Sequence, residues 1–378
     1  MSQIELLESP TLRLAVQFPD GTTRSIHPLW LRERCTSNTS IDQGTGQRLY
    51  NPSELDPQLR LIAVNRTGSD ELTVLFSDGH TSRFSEAALA AEAAMRPDND
   101  GLPARLAWNA SLATLPEADW QEQPSDALRF DIAEKLLRYG FVVLHNVPRV
   151  SLALFGVAES FGFVRDTNFG RHFDVRSVPD ANDLAYSSLA LDPHVDNPYR
   201  EPSPGIQLLH CLINETQGGL STLVDGLACS EALRQHDPDA YRLLTSIPVR
   251  FQFTDRDAEH VAWQPHVKLD ERGVFQAIHI SPRLDFAPLL PPDELHAFYA
   301  ARRQLDSLLK SAEFEIRFRL GGGDLVMFDN RRLLHGRTAF DTREGKRHLQ
   351  GCYIDIDGPR SLYRVLSRSQ ARQRRAAE

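Results

Sequence analysis

The stretch LDPHVDNPYREPSPGIQLLHC, Leu191–Cys211, sets an imidazole and a carboxylate two positions apart. Pro-rich punctuation follows, then an apolar run ending at His210 and Cys211. An extended segment sends residues i and i+2 to the same side, so His194 and Asp196 can both reach one metal ion. Two ligands hold a metal poorly, and His335 in GDLVMFDNRRLLHGRTAF (Gly323–Phe340) is the best third, placed after an apolar strand and a polar turn. Two histidines and one carboxylate on one face of a metal leave positions open opposite them, the donor set of non-haem Fe(II) oxygenases. A bare HxD pair also arises by chance in any histidine-containing chain, where it is only a polar loop.

A cation near the same place adds to the metal reading. Arg347, 12 residues past His335, opens the next expected strand in GKRHLQGCYIDID (Gly345–Asp357). A guanidinium fork suits a carboxylate held by two hydrogen bonds. A 2-oxo acid could chelate the metal at one end and meet Arg347 at the other.

The surrounding chain is that of an ordinary globular protein, 41% hydrophobic and 25% charged over 378 residues. With 42 basic and 51 acidic residues the formal net charge is −9, which argues against a general nucleic-acid binder. An anionic substrate would therefore need local cations rather than a global field. The four cysteines, Cys35, Cys211, Cys229 and Cys352, form no CxxC pair, as fits a reducing cytoplasm. No apolar run approaches the ~18 residues of a membrane helix. The first residues are acidic where a signal peptide would be basic. The expectation is a soluble cytoplasmic protein with no membrane or nucleic-acid partner.

Two stretches near the N-terminus echo each other. LRLAVQFPDGTTRSI (Leu12–Ile26) and LTVLFSDGHTSRF (Leu72–Phe84) both read strand, Asp-Gly turn, strand, and each precedes a helix-like segment. Residues 1–95 are therefore expected to be a small α+β domain. Residues 96–125, rich in Pro, Asn, Asp and Gly, read as a linker with little regular structure. Beyond it, many short apolar strands with few crossover helices predict an antiparallel sandwich or barrel over 126–378. Arg364, Arg368 and Arg372 share one face of a C-terminal helix, read as a solvated face.

Several linked motifs extend the reading. TNFGRHFDVRS, PDANDLAYSS, HVDNPYREPSPGIQLLHC, GGLSTLVDG, FDNRRLLHGR and RHLQGCYID occur in order and resemble the γ-butyrobetaine dioxygenase group of the TauD/TfdA-type 2-oxoglutarate oxygenases. HPLWLRERC and FSDGHTSRF resemble that group's small N-terminal domain. The resemblance implies a mainly β protein with flanking helices: a double-stranded β-helix (jelly-roll) catalytic domain plus a small α+β N-terminal domain, commonly as a homodimer. It implies Fe(II), O₂ and 2-oxoglutarate as co-substrate, with ascorbate as reductant. His194, Asp196 and His335 match the iron ligands, Arg347 the 2-oxoglutarate arginine, and Ser221 a co-substrate hydroxyl. A carboxylate at Asp196 leaves no site for a bound halide and so favours hydroxylation.

The resemblance also implies a quaternary ammonium substrate held by cation–π attraction in an aromatic cage. The matching positions are Phe169, Phe173, Tyr186 and Tyr353. Taken singly, each ring reads as core; together they fall on the cage positions. Asn182 and Asp183 stand where carboxylate-binding relatives usually show two amides. Asp183 would repel a substrate carboxylate unless one of the two were protonated, whereas a phosphonate monoanion could supply its own proton. Asn197 and Arg200 could serve an anionic group or face outward from their loop. The lead substrate is γ-butyrobetaine, giving L-carnitine; the alternative is 2-(trimethylammonio)ethylphosphonate, giving its 1-hydroxy product. A non-catalytic quaternary-ammonium binding module is the alternative of another class.

Zinc-containing relatives carry three clustered cysteines and a histidine in the small domain. Here only Cys35 and His80 remain, short of a four-coordinate site, so no zinc is expected. Cys35 then reads as a buried small residue and His80 as a polar turn residue.

Overall fold

A computed structural model describes residues 3–7, 12–95, 100–176 and 188–377, with side chains as far as Arg372. By their contacts the residues fall into two units, Met1–Gly101 and Leu102–Glu378.

In the smaller unit both Asp-Gly turns reverse a strand. Gly21 and Gly79 each take φ of +82°, a conformation open to glycine at no steric cost. Strands β1 (Gln3–Leu7), β2 (Arg13–Gln17) and β3 (Thr23–Ile26) form one antiparallel sheet, followed by helix α1 (Pro28–Arg32). Strands β4 (Leu61–Thr67), β5 (Glu71–Phe76) and β6 (Thr81–Ser85) form another, followed by α2 (Glu86–Ala94). Leu14, Leu31, Leu72 and Phe76 are buried in one core, which unites the two sheets.

The larger unit begins with β7 (Glu117–Asp119), α3 (Asp126–Tyr139), β8 (Phe141–His145), α4 (Leu154–Glu159), β9 (Phe173–Arg176) and β10 (Leu191–His194). Next come β11 (Ile206–Asn214), β12 (Ser221–Asp225), α5 (Gly226–His236), α6 (Pro238–Ser246), β13 (Val249–Thr254) and β14 (Glu259–Gln264). Then follow β15 (Val267–Leu269), β16 (Phe275–Ile278), β17 (Asp285–Phe286), α7 (Pro292–Leu309) and β18 (Glu315–Phe318). The unit closes with β19 (Leu325–Asp329), β20 (Leu333–Arg337), β21 (Arg347–Ile354) and α8 (Asp357–Ala377).

Two sheets dominate this unit, a four-stranded one in the order β10-β20-β12-β18 and a six-stranded one in the order β7-β8-β19-β11-β21-β9. All pairings but β7–β8 are antiparallel. Leu223 and Leu333 of the first sheet pack with Cys211, Phe328 and Leu349 of the second, so the sheets face each other across one core. α3 and α4 lie behind the six-stranded sheet, and α5 to α7 behind the other. This is the jelly roll. Between its sheets lies the inner face that carries His335 and Arg337 on β20 and, opposite them on β12, Leu223 and Ser221.

The segment expected as a linker differs in part. Residues 102–125 are mostly irregular but belong to the larger unit, where Trp108 and Trp120 are buried. Trp108 donates its Nε1–H to the Tyr139 carbonyl at 2.7 Å and its backbone N–H to Asp225 Oδ2 at 3.1 Å. Asp225 also holds the Arg332 guanidinium through both carboxylate oxygens, at 3.0 and 2.7 Å, with both side chains shut off from water. Pro and Gly content signalled irregular backbone but could not show that two tryptophans pin it down.

Candidate metal centre

His194 ends β10 and His335 sits mid-strand in β20, and the two are register partners across that antiparallel pair. Their side chains therefore leave the sheet on one face, with ring centroids 4.4 Å apart. Asp196 follows two residues after His194, and its Oδ1 lies 3.5 Å from His194 Nε2 and 3.8 Å from His335 Nε2. Among the described residues these three form the one group of metal-ligating side chains whose donor atoms all fall within 4.8 Å.

Each donor is prepared for the role. His194 Nδ1–H donates to the Asp192 carbonyl at 2.9 Å, which leaves the Nε2 lone pair facing the other two residues. Burial pushes His335 down to about 3, helped by the charge of His194, so its ring is neutral. Burial alone would raise the Asp196 carboxyl, but both imidazoles and the Tyr353 hydroxyl hold it well below the usual carboxylate range. Asp196 Oδ2 accepts from Gln207 Nε2 at 2.8 Å and from Tyr353 Oη at 2.7 Å, leaving Oδ1 for a metal. Asn330 clamps the Asp196 backbone, its Oδ1 accepting from the N–H at 2.8 Å and its Nδ2 donating to the carbonyl at 2.9 Å. Two imidazoles and one carboxylate with a free oxygen, all on one side, fit Fe(II) with open positions opposite.

Arg347 opens β21 and is buried, 8% exposed. Its guanidinium lies 5.5 Å from the centre of the Phe340 ring, and its Nε has no hydrogen-bond partner. A buried cation with an unused donor suits an anionic ligand, since burying the charge without a partner is costly. Desolvation lowers Arg347, as expected for such a position. Ser221 stands opposite Arg337 in the β12–β20 ladder, and Arg337 lies over the same Phe340 ring.

The expected cage positions are placed differently from one another. Phe173 and Tyr353 form a ring pair, 5.4 Å between centroids, directly beside Asp196. Phe169 instead meets Phe253 of β13 edge to face at 5.7 Å, and Phe253 stacks on Tyr199 at 5.0 Å. Tyr186, Asn182 and Asp183 lie outside the described residues. Asn197 is buried with φ of +53°; its Oδ1 accepts from Tyr199 Oη at 2.6 Å, and its Nδ2 is left without a partner. Arg200 is engaged sideways, donating to Asn168 Oδ1 at 2.7 Å and to His260 Nε2 at 3.2 Å.

Gln207, Asn330, Tyr199, Phe253 and Arg283 went unread in the sequence. Val195 N–H donates to the Ile280 carbonyl at 2.9 Å, which draws the segment bearing Arg283 beside the metal loop, where its charge acts on His335. In the smaller unit Cys35 is buried and His80 follows the Asp78-Gly79 turn, in line with their reading, and Cys35 Sγ lies 3.0 Å from His80 Nε2.

A His-Asp-His group between the sheets of a jelly roll matches the donor set of a non-haem iron oxygenase. Residues 100–353 match the model of the taurine catabolism dioxygenase TauD, TfdA family, and residues 7–89 match a γ-butyrobetaine hydroxylase-like N-terminal domain. The chain belongs to the TauD, TfdA family of Fe(II)/2-oxoglutarate oxygenases and is a dioxygenase. It is 35% identical to the γ-butyrobetaine dioxygenase of Pseudomonas sp. (strain AK-1), over 94% of both chains. It is 30% identical to the mitochondrial trimethyllysine dioxygenase of Bos taurus, over 89% of this chain and 82% of that one. In fold it is similar to AAD-2 in complex with Mn(II) and N-oxalylglycine, with a TM-score of 0.51 at 17% identity, over 67% of this chain and 97% of that one. Among the described residues no helix is long and apolar enough to cross a membrane.

Proposed function

We propose that this dioxygenase hydroxylates an unactivated C–H bond of a small trimethylammonium zwitterion, with γ-butyrobetaine, giving L-carnitine, as the lead substrate. 2-Oxoglutarate would be converted to succinate and CO₂. The observation that carries the reading is the Phe173–Tyr353 ring pair, whose tyrosine hydroxyl is bonded to Asp196. It sets π-faces within one hydrogen bond of the expected iron ligand. A trimethylammonium group donates no strong hydrogen bond but is attracted to ring faces, by about 0.5–2 kcal/mol for each well-placed ring. Similarity to dioxygenases named for γ-butyrobetaine and trimethyllysine supports the same substrate class.

His194, Asp196 and His335 would hold Fe(II), and Arg347 with Ser221 would hold the far carboxylate of 2-oxoglutarate. The bound iron and 2-oxo acid supply the O₂-dependent oxidising chemistry. The task of the side chains is to orient the reacting C–H and keep water and competing reactions out. Tyr353 stays protonated, for burial and the neighbouring Asp196 raise it well above its ordinary value. It can thus donate to Asp196 and present its ring at once.

A second reading, 2-(trimethylammonio)ethylphosphonate as substrate, is favoured by the unused Asn197 Nδ2 and by the nearby charge of Arg283. Such donors would suit the extra oxygens of a phosphonate. The deciding experiment measures succinate formation with Fe(II), ascorbate and 2-oxoglutarate over a panel of quaternary amines. A higher kcat/KM for γ-butyrobetaine than for the phosphonate supports the lead, and the reverse order supports the alternative. No substrate-dependent succinate across the panel overturns both and leaves a binding module.

A further inference from the structure

We propose that Cys35 is a modification site: a sulfur set against the His80 imidazole inside a shell of serine hydroxyls, reactive toward small soft electrophiles such as hydrogen peroxide. This proposal concerns the smaller unit and stands independently of the metal centre.

The local sequence builds the pair from two turns. Cys35 follows α1, and His80 follows the Asp78-Gly79 turn, where its backbone N–H donates to Asp78 Oδ1 at 2.9 Å. The result is a sulfur 3.0 Å from His80 Nε2 and 3.2 Å from Ser37 Oγ. Ser82 Oγ is buried and acts on the same sulfur. Ser40 lies in the shell as well, bonded to Arg32 Nη1 at 3.0 Å, while Arg32 is itself paired with Asp78 at 3.5 Å. The sulfur meets a hydroxyl and an imidazole, with no carboxylate in contact among the described residues.

The other three cysteines make the contrast within one chain. Burial pushes Cys211 up to about 11, Cys352 up to about 12 and Cys229 well above its ordinary value. Burial also acts on Cys35, but the hydroxyls of Ser37, Ser40 and Ser82 outweigh it and bring the thiol down to about 6. A thiolate, not a thiol, is the nucleophile. Cys35 is only 1% exposed, but the loop next to it carries the exposed residues Thr36, Asn38 and Thr39. This thin cover restricts the site to small reagents.

With peroxide the step balances as follows. The thiolate attacks one peroxide oxygen, an S–O bond forms and the O–O bond breaks. The departing hydroxide takes a proton from solvent or from a neighbouring donor and leaves as water. Sulfur is oxidised by two electrons to a sulfenic acid or its anion, and the peroxide is reduced by two.

The test uses the full native chain treated briefly with methyl methanethiosulfonate at neutral pH, with each cysteine peptide quantified by mass spectrometry. Cys35 should be labelled about tenfold or more faster than Cys211, Cys229 and Cys352. His80→Gln and Ser82→Ala, each checked for native circular dichroism, should slow Cys35 and leave the other three unchanged. Peroxide with a sulfenic-acid trap should place the adduct on Cys35. The proposal is overturned if Cys35 is labelled no faster than the others, if it reacts only in denaturant, or if neither variant changes its rate.

Discussion

Gln207 and Tyr353 face each other across the β11–β21 ladder and donate to the same oxygen of Asp196, at 2.8 and 2.7 Å. One carboxylate oxygen is thereby held by two strands of the six-stranded sheet, while the other is aimed at two histidines of the opposite sheet. Groups that orient a metal ligand in this way typically contribute 10–100-fold, by order of magnitude, to metal affinity.

Tyr353→Phe should therefore weaken Fe(II) binding by about 10–100-fold in an anaerobic titration, with the ring still in place beside Phe173. Gln207→Leu should act in the same direction. Because both donors share one acceptor, the double variant should depart from additivity by about 0.5 kcal/mol or more. Strict additivity would mean that the two donors do not act on a common atom.

Arg347→Met removes a buried cation that forms no ion pair among the described residues. Binding of 2-oxoglutarate to the Fe(II) protein should be lost, while the thermal midpoint of the protein alone should rise, by about 1 kcal/mol in stability. Gly219 offers a milder test. It has φ of +68°, and a Cβ there would come within 2.9 Å of Arg347 Nε. Gly219→Ala should weaken 2-oxoglutarate binding with the charge intact, measured by equilibrium binding.

Gly351 lies under the Phe173 ring, where an added Cβ would fall 2.3 Å from Phe173 Cζ. Gly351→Ala should therefore push the ring aside. KM for the quaternary amine should rise by about 5–30-fold, the worth of 1–2 kcal/mol of cation–π attraction. Fe(II) affinity should stay unchanged in the same preparation, and a parallel loss of iron would point to general disruption instead.

Asp225→Asn leaves the Arg332 guanidinium buried without its counter-charge. The larger unit should lose about 3–5 kcal/mol in chemical denaturation, because breaking one side of a buried pair strands the other. An effect under about 1 kcal/mol would mean that the pair is not shielded from water as the geometry has it.

The residues legible in the sequence were those whose chemistry is rare. His194, Asp196, His335 and Arg347 stand out because imidazole, carboxylate and guanidinium are unusual next to apolar strands. Gln207 and Asn330 do not, since a polar residue in a strand or turn is ordinary until its cross-chain partner is known. The strand at 333–337 is not legible in the sequence because LLHGR lacks the alternation of a half-buried strand; it is paired on both sides and carries chemistry inward. Phe169 matches the cage in type, and its ring meets Phe253, which stacks on Tyr199, two residues brought from elsewhere in the chain. The hairpins at Asp20-Gly21 and Asp78-Gly79 were legible because their turns depend on local backbone conformation alone.

The register pairing of His194 with His335 has one more consequence. Strand register sets the two imidazoles on one face of the sheet, so the spacing of this cradle is a property of the β10–β20 pairing. Such a cradle discriminates little among divalent first-row ions, whose intrinsic affinities place nickel, copper and zinc above iron. Which ion occupies the triad would then be decided by supply, and traces of those competitors should silence turnover without unfolding the chain.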